Sequence, residues 1–320
     1  MPRVAMGAYV LRRLIAAAAM TAAIATAVFL LLRAVPGDVV VVMLGENAAS
    51  PDKIAAMRHA LGLDRPLLEQ YTVWLAHLAR GDFGTSILSG RSIGAELAVR
   101  VPRSLELGVF ALAAAVLLGI PLGTLAARRA GRPLDLAITG VSVLGLTFPS
   151  FVVGSVFVLV FGLVLHWFPA TGYVAFSDDP LGHVRHLVLP ALTLALTFAP
   201  VVLRMTRAGM LETLSQDFVR TARAKGLAER AVMVRHVLRN SLIPVITVLG
   251  LQAGELIGRI VLIEYIFNWP GVSSLLLTGA FERDYPLVQA VVVVVAAAFV
   301  LINLLVDLTY MLVDPRIRLA

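Results

Sequence analysis

Residues 14–32 read LIAAAAMTAAIATAVFLLL, a run without a charged residue directly behind Arg12 and Arg13. An α-helix rises about 1.5 Å per residue, so this run is long enough to cross roughly 30 Å of hydrocarbon. It exceeds the ~7–15-residue apolar core of a cleavable signal peptide and lacks a clear cleavage site, so it is expected to remain as a first membrane span. Further apolar runs cover Leu105–Ala127, Leu136–Leu165, Leu187–Leu203, Leu242–Ile263 and Leu287–Val313. The third is overlong for a straight crossing, which predicts a tilt or a kink. The pattern predicts an all-α membrane protein with about six transmembrane helices.

Composition agrees with that reading. Of 320 residues, 59% are hydrophobic and 15% charged, whereas a soluble domain carries about 45–50% apolar and 25% charged residues. A net charge of +7 would suggest a nucleic-acid partner in a soluble chain. Here most basic residues flank apolar spans, so the charge reads as membrane topology and no nucleic acid is expected. Cysteine is absent, which removes disulfides, thiol nucleophiles and cysteine metal sites and leaves the redox compartment open.

Arg3, Arg12 and Arg13 precede the first span, Arg128, Arg129 and Arg132 follow the second, residues 204–239 are strongly basic, and Arg316 and Arg318 close the chain. The other short linkers are slightly acidic: Asp178 and Asp179 with Arg185, then Glu264, Glu282 and Asp284 with Arg283. Both termini are therefore expected on the cytoplasmic side. The long segment after the first span is largely exempt from this charge rule. In it, Ser50-Pro51-Asp52 begins a helix with Ile54, Met57 and Leu61 on one side, and residues 67–78 form a second amphipathic stretch, either a packing cap or a docking surface. Gly81-Asp82-Phe83-Gly84 and Ser89-Gly90-Arg91 are turn chemistry. Three regions result: residues 1–33 as N-terminus and first helix, 34–103 as extracytoplasmic segment, and 104–320 as a five-helix core containing a cytoplasmic loop at 208–240.

That loop reads RAGMLETLSQDFVRTARAKGL from Arg207 to Leu227, followed by RHVLRNS from Arg235 to Ser241. It is amphipathic and helical on both sides of Gly226. Glycine costs roughly 1 kcal/mol in a helix interior, so Gly226 is better placed as a left-handed cap between two helices. Thr221, Ala222 and Ala224 would let another surface approach closely, and Arg220, Arg223, Lys225 and Arg230 could meet its acidic groups.

The stretch from Asp217 to Gly226 resembles the coupling loop of ABC importer permeases, with Arg220-Thr221-Ala222 in the Glu-Ala-Ala places and Gly226 in the glycine place. It is similar to the form found in the dipeptide, oligopeptide and nickel permease family. Arg33-Ala-Val-Pro-Gly-Asp38, Leu61-Gly-Leu-Asp-Arg-Pro66, Gly81-Asp-Phe-Gly84, Asn268-Trp-Pro-Gly271, Arg283-Asp-Tyr-Pro286 and Asp314-Pro-Arg-Ile-Arg318 extend the resemblance along almost the entire chain. It implies a type I (MetI-like) permease fold in a bacterial inner membrane. It also implies a second homologous permease, one or two kinds of ATPase subunit that receive the loop residues Asp217, Arg220, Thr221, Ala222, Arg223, Ala224, Lys225 and Gly226, and an extracytoplasmic solute-binding protein. Short peptides are the expected cargo; glutathione or a nickel chelate also fits. No Gly-x-x-x-x-Gly-Lys-[Ser/Thr] loop occurs and the only lysines are Lys53 and Lys225. ATP and Mg are expected on partner subunits, with no cofactor on this chain, which is not expected to be an enzyme.

The fifth run carries Gly250, Gly254 and Gly258 at four-residue intervals, a face suited to close helix packing in lipid. Beside it stand Gln252, Glu255 and Arg259. A charge near a helix centre costs about 2.5–3.5 kcal/mol to insert, whereas Leu or Ile returns only about 0.3–0.6, so pairing or wet surroundings are expected. Either these three line a translocation path or the two charges form a structural pair. Asn303 and Asp307 are expected to hydrogen-bond between helices, and Pro121, Pro149, Pro190, Pro200 and Pro244 to mark kinks or helix starts.

Other chemistries find little support. His-Glu-x-x-His and Gly-x-Ser-x-Gly motifs are absent. Gly271-Val272-Ser273 resembles the Gly-x-Ser of intramembrane serine proteases, but Ser273 is expected in an external loop with no histidine in a later helix. His183 and His186 are expected as solvated side chains of a flexible loop, with metal ligation as the alternative. A freestanding secondary transporter would show paired half-repeats, which are not apparent.

Overall fold

The structure, a computed structural model, describes residues 2–34, 40–41, 50–60 and 62–313. Its elements are α1 (Pro2–Ala34), α2 (Pro51–Ala60), α3 (Leu67–Ala79), α4 (Ile93–Arg128), α5 (Pro133–Thr147), α6 (Ser150–Phe157, continued by a π-helical stretch Val158–Val164), α7 (Pro180–Leu214), α8 (Asp217–Ala224), α9 (Arg239–Ile266), α10 (Val272–Phe281) and α11 (Tyr285–Val313). Among the described residues there is no sheet, only an isolated bridge between Thr85 and Ser92. Among the described residues five helices are long and apolar enough to cross a membrane, and α5 with α6, bent by 102°, pass the same test only as a pair, with the geometry of a broken span or a re-entrant loop. The overlong third run is this broken pair. Pro149 stands at the break: it supplies no N–H to continue α5 and disfavours helical geometry at Phe148, which is extended at ψ 131°.

The chain divides into two compact units, one of residues 1–10, 104–270 and 301–320 and the other of residues 11–103 and 271–300. In the first, α7 is the central helix. Its apolar window is 72% buried, against 28% for α4 and α9, because small residues let neighbours approach. A Cβ added at Gly119 would lie 2.7 Å from Val202, and one at Gly123 would lie 2.6 Å from the Leu203 carbonyl. The core gathers Leu107, Leu194, Phe198, Ile260, Ile263 and Trp269. Asn268-Trp-Pro-Gly271 serves this core: Asn268 turns the chain at φ 51°, and Trp269 stands edge-on to Tyr173, with ring centroids 4.9 Å apart.

The second unit packs Ile93 and Leu97 of α4 against Val272, Leu275, Leu287 and Val291. Arg283-Asp-Tyr-Pro286 builds its turn. Arg283 adopts φ 58°, and the buried Asp284 carboxylate accepts from Leu287 N at 3.2 Å and from Ser86 Oγ at 2.5 Å. In Gly81-Asp-Phe-Gly84, the Asp82 Oδ1 accepts from Gly84 N at 2.9 Å.

Several expectations are corrected here. Glu264 and Asp284, counted above as linker charges, are each 1% exposed. Glu264 belongs to α9 and accepts a hydrogen bond from Ser104 Oγ. Ser273 lies in α10 and is buried, not in an external loop. His183 and His186 belong to the first turns of α7, and His183 is 2% exposed. Its Nδ1–H donates to the Val174 carbonyl at 2.7 Å, and its Nε2 faces Glu106 Oε1 at 3.0 Å inside a cage of Tyr173, Phe176 and Trp269. Among the described residues no group of three or more possible ligands could hold a metal. Residues 35–39, Leu61, residues 314–320 and the side chains of Met57 and Asp307, all named above, lie outside the described residues.

Candidate functional site

Two regions of the first unit carry the residues singled out by sequence. One is the turn after α7. Ser215 ends that helix, Gln216 is extended, and α8 begins at Asp217. Val219 and Ala222, three apart and therefore on one face of α8, are buried with Ala127, Met210, Val232, Met233 and Val237. The opposite face holds Phe218, Arg220, Thr221, Arg223, Ala224 and Lys225, all exposed. Ala222 is thus corrected from a docking contact to an anchor, since its methyl fills the small core beneath the elbow.

Gly226 ends α8 at φ 74°, a left-handed conformation that other residues adopt only with strain. Gly226 N donates to Arg223 O at 2.9 Å, and Leu227 N reaches Ala222 O at 3.4 Å, closing the helix end. Across this turn Arg223 Nε and Nη2 donate to the two Glu229 oxygens at 3.1 and 2.8 Å. This exposed pair contributes about 0.2–1 kcal/mol, so it shapes the turn more than it stabilises it. A helical turn at Glu229–Ala231 and a π-helical stretch at Val232–Leu238 then lead without a break into α9.

Sequence reading missed the group that fixes this end of the unit. The Asp135 carboxylate, 2% exposed, accepts from Arg207 Nε and Nη2 at 2.7 Å each. Gly131 N donates to it at 2.9 Å and Thr139 Oγ1 at 3.4 Å. The start of α5 is thereby held to the last turns of α7, just before the elbow. An isolated Asp beside an arginine cluster reads as topology in one dimension, and only the fold selects its partner.

The second region is a cavity of about 400 Å³ at the α5–α6 bend, lined by Gly145, Pro149, Ser150, Thr197 and, from α9, Gln252, Glu255 and Arg259. Gln252 is 6% exposed and its Nε2 has no hydrogen-bond partner. Glu255 and Arg259 are exposed, and Arg259 Nη2 donates to Glu255 Oε2 at 3.2 Å. Three polar groups one helical turn apart therefore face one cavity, supplying an amide donor, a carboxylate and a guanidinium. Gly250 and Gly254 are buried against the neighbouring helices, whereas Gly258 is exposed and a Cβ there would meet nothing within 4 Å.

The profile described as "Binding-protein-dependent transport system inner membrane component" matches residues 119–319, and its N-terminal companion matches residues 6–94. The chain belongs to this family. It is a multi-pass inner-membrane permease component. The "Probable peptide ABC transporter permease protein y4tP" of Sinorhizobium fredii is 39% identical over 98% of this chain and 100% of the relative. The "Di/tripeptide transport system permease protein DppB" of Pseudomonas aeruginosa is 40% identical over 91% of this chain and 92% of the relative. The fold is shared with an inward-facing structure of the MetNI methionine ABC transporter, at TM-score 0.56 and 15% identity, covering 68% of this chain and 96% of that one.

Proposed function

We propose that this permease carries short peptides from an extracytoplasmic binding protein into the cytoplasm by alternating access, with both its termini on the cytoplasmic side. ATP is hydrolysed on separate subunits, and a second homologous permease completes the pathway. The peptide assignment draws on the relatives' names and on a cavity that offers opposite charges to a zwitterion. The observation that carries the coupling role is the two-sided elbow, anchored by Val219 and Ala222 and exposed at Phe218, Thr221 and Lys225.

Movement imposed on the elbow has a continuous path inward. Val219 and Ala222 press on Val232, Met233 and Val237, which run directly into α9. From Arg239 to Arg259 that helix spans roughly 30 Å at 1.5 Å per residue, ending beside the polar cavity. An ATPase that shifts the elbow therefore shifts Gln252, Glu255 and Arg259 as one rigid face. The decisive experiment purifies the chain in mild detergent with the products of its neighbouring genes and measures ATP hydrolysis with di- to oligopeptides and the binding protein. Peptide-stimulated hydrolysis supports the whole reading. A stable complex that peptides do not stimulate removes the peptide assignment, and absence of any associated ATPase removes the coupling role.

A further inference from the structure

The second unit contains a cavity of about 530 Å³ lined by none of the elbow or polar-cavity residues named above. The carboxylates near it are already engaged: Asp64 with His59 and Asp82 with His77, each at 2.8 Å, and Glu69 with Arg65 at 3.1 Å. Two donors on its wall differ. Arg33 is half-buried, stacks over the Phe29 ring at 3.5 Å, and donates to Gln70 Oε1 and the Phe29 carbonyl. Among the described residues it pairs with no carboxylate. Burial also pushes its guanidinium below the usual value, a cost that a bound anion offsets. The other donor is Gln289 Nε2, which has no hydrogen-bond partner although its residue is only 8% exposed. A buried amide left unpaired is costly, so a native structure that keeps one calls for an acceptor.

The position of these donors identifies the acceptor's source. Arg33 lies two residues beyond the apolar span Val10–Leu31, and Tyr285 on the same wall opens the span Tyr285–Val306. Both therefore stand where hydrocarbon gives way to lipid headgroups. Trp74, Phe83 and Ile87 give the wall an apolar stretch beside its polar groups, which also include His59, Arg65, His77 and Asp82.

We infer that this cavity holds one anionic phospholipid, its phosphate received by Arg33 and Gln289 and its glycerol and upper acyl carbons lying along Trp74, Phe83 and Ile87. The inference does not depend on the transported solute. Delipidated full chain in mild detergent, titrated with phosphatidylglycerol or phosphatidylcholine of equal acyl length and followed by native mass spectrometry, tests it. One phosphatidylglycerol is expected to bind at least about tenfold tighter than phosphatidylcholine, whose trimethylammonium adds a like charge beside the Arg33 guanidinium. Arg33→Gln is expected to abolish that preference and Gln289→Met to weaken binding several-fold. Equal affinity for the two lipids overturns the proposal. So does complete displacement by millimolar inorganic phosphate, which marks a site for a free anion. If Arg33→Gln fails to fold, an unchanged phosphatidylglycerol affinity in folded Gln289→Met is equally decisive against it.

Discussion

Arg207 holds Asp135 through two parallel hydrogen bonds of 2.7 Å, joining the start of α5 to the end of α7 where the elbow begins. Bidentate geometry and burial of the carboxylate make this pair unlike the exposed ion pairs elsewhere in the chain, because a buried partner left alone cannot recover its hydration. Asp135→Asn is expected to lower the unfolding midpoint in detergent by roughly 5 °C or more. The control Glu69→Gln, at an exposed pair, should shift it little. Equal midpoints for both variants, measured by thermal unfolding, would show that the pair does not hold the helices.

Gly226 tests the elbow itself. A Cβ there would meet nothing within 4 Å, so Gly226→Val acts through its left-handed backbone alone, at about 1–3 kcal/mol. The expected result is a protein that inserts normally but loses ATPase association or coupled transport, read by co-purification and uptake.

Close helix approach gives a contrasting pair. Gly123→Ala should destabilise by about 1–3 kcal/mol through overpacking, because its methyl would meet the Leu203 backbone. Gly258→Ala, facing open space, should leave stability unchanged or slightly raised. Thermal unfolding of both variants checks the assignment of packed and open faces on α4 and α9.

At the polar cavity, Glu255→Gln and Arg259→Gln should alter the preference among peptides differing in terminal charge, with protein abundance preserved. Competition uptake assays with N-acetylated and C-amidated peptides make the comparison. A fall in abundance alone assigns the pair a structural role.

The turn at Asp82 carries a pH dependence. Its carboxylate is held below the usual range, first by the Gly84 N–H and then by His77. A depressed carboxylate stabilises the fold above its unfolded value, near 3.9, and that contribution is lost as pH falls through the lower folded value. Protection of the Gly84 amide from hydrogen exchange should therefore persist down to about pH 4 and decline below it. Asp82→Asn should remove the acid-dependent part.

The membrane spans, the bend in the third, the helix starts at Pro51 and Leu67 and the left-handed turn at Gly226 were all legible in the sequence. Each rests on local physics: an apolar run of fixed length, a proline that cannot donate, a glycine without a Cβ. The family resemblance was legible for the same reason, since its motifs are contiguous. What contiguity does not encode is the direction a side chain takes. Ala222 reads as a docking residue until Val219 beside it proves to face the same buried cluster. His183 and Glu264 read as loop residues, and Asp284 as a solvated linker charge, until Glu106, Ser104 and Ser86 arrive from distant segments to bond them.

The sequence by itself determined that this chain crosses the membrane repeatedly and carries a helix–glycine–helix elbow, because spans and caps depend on neighbours within a few residues. Only the tertiary structure decided that Asp135 belongs to Arg207, that Gln252, Glu255 and Arg259 line one cavity with Ser150 and Thr197, and that Arg33 and Gln289 share a second one. The first and last of these join residues tens to hundreds of positions apart. They exist because helices packed through small residues bring polar groups together where water cannot satisfy them.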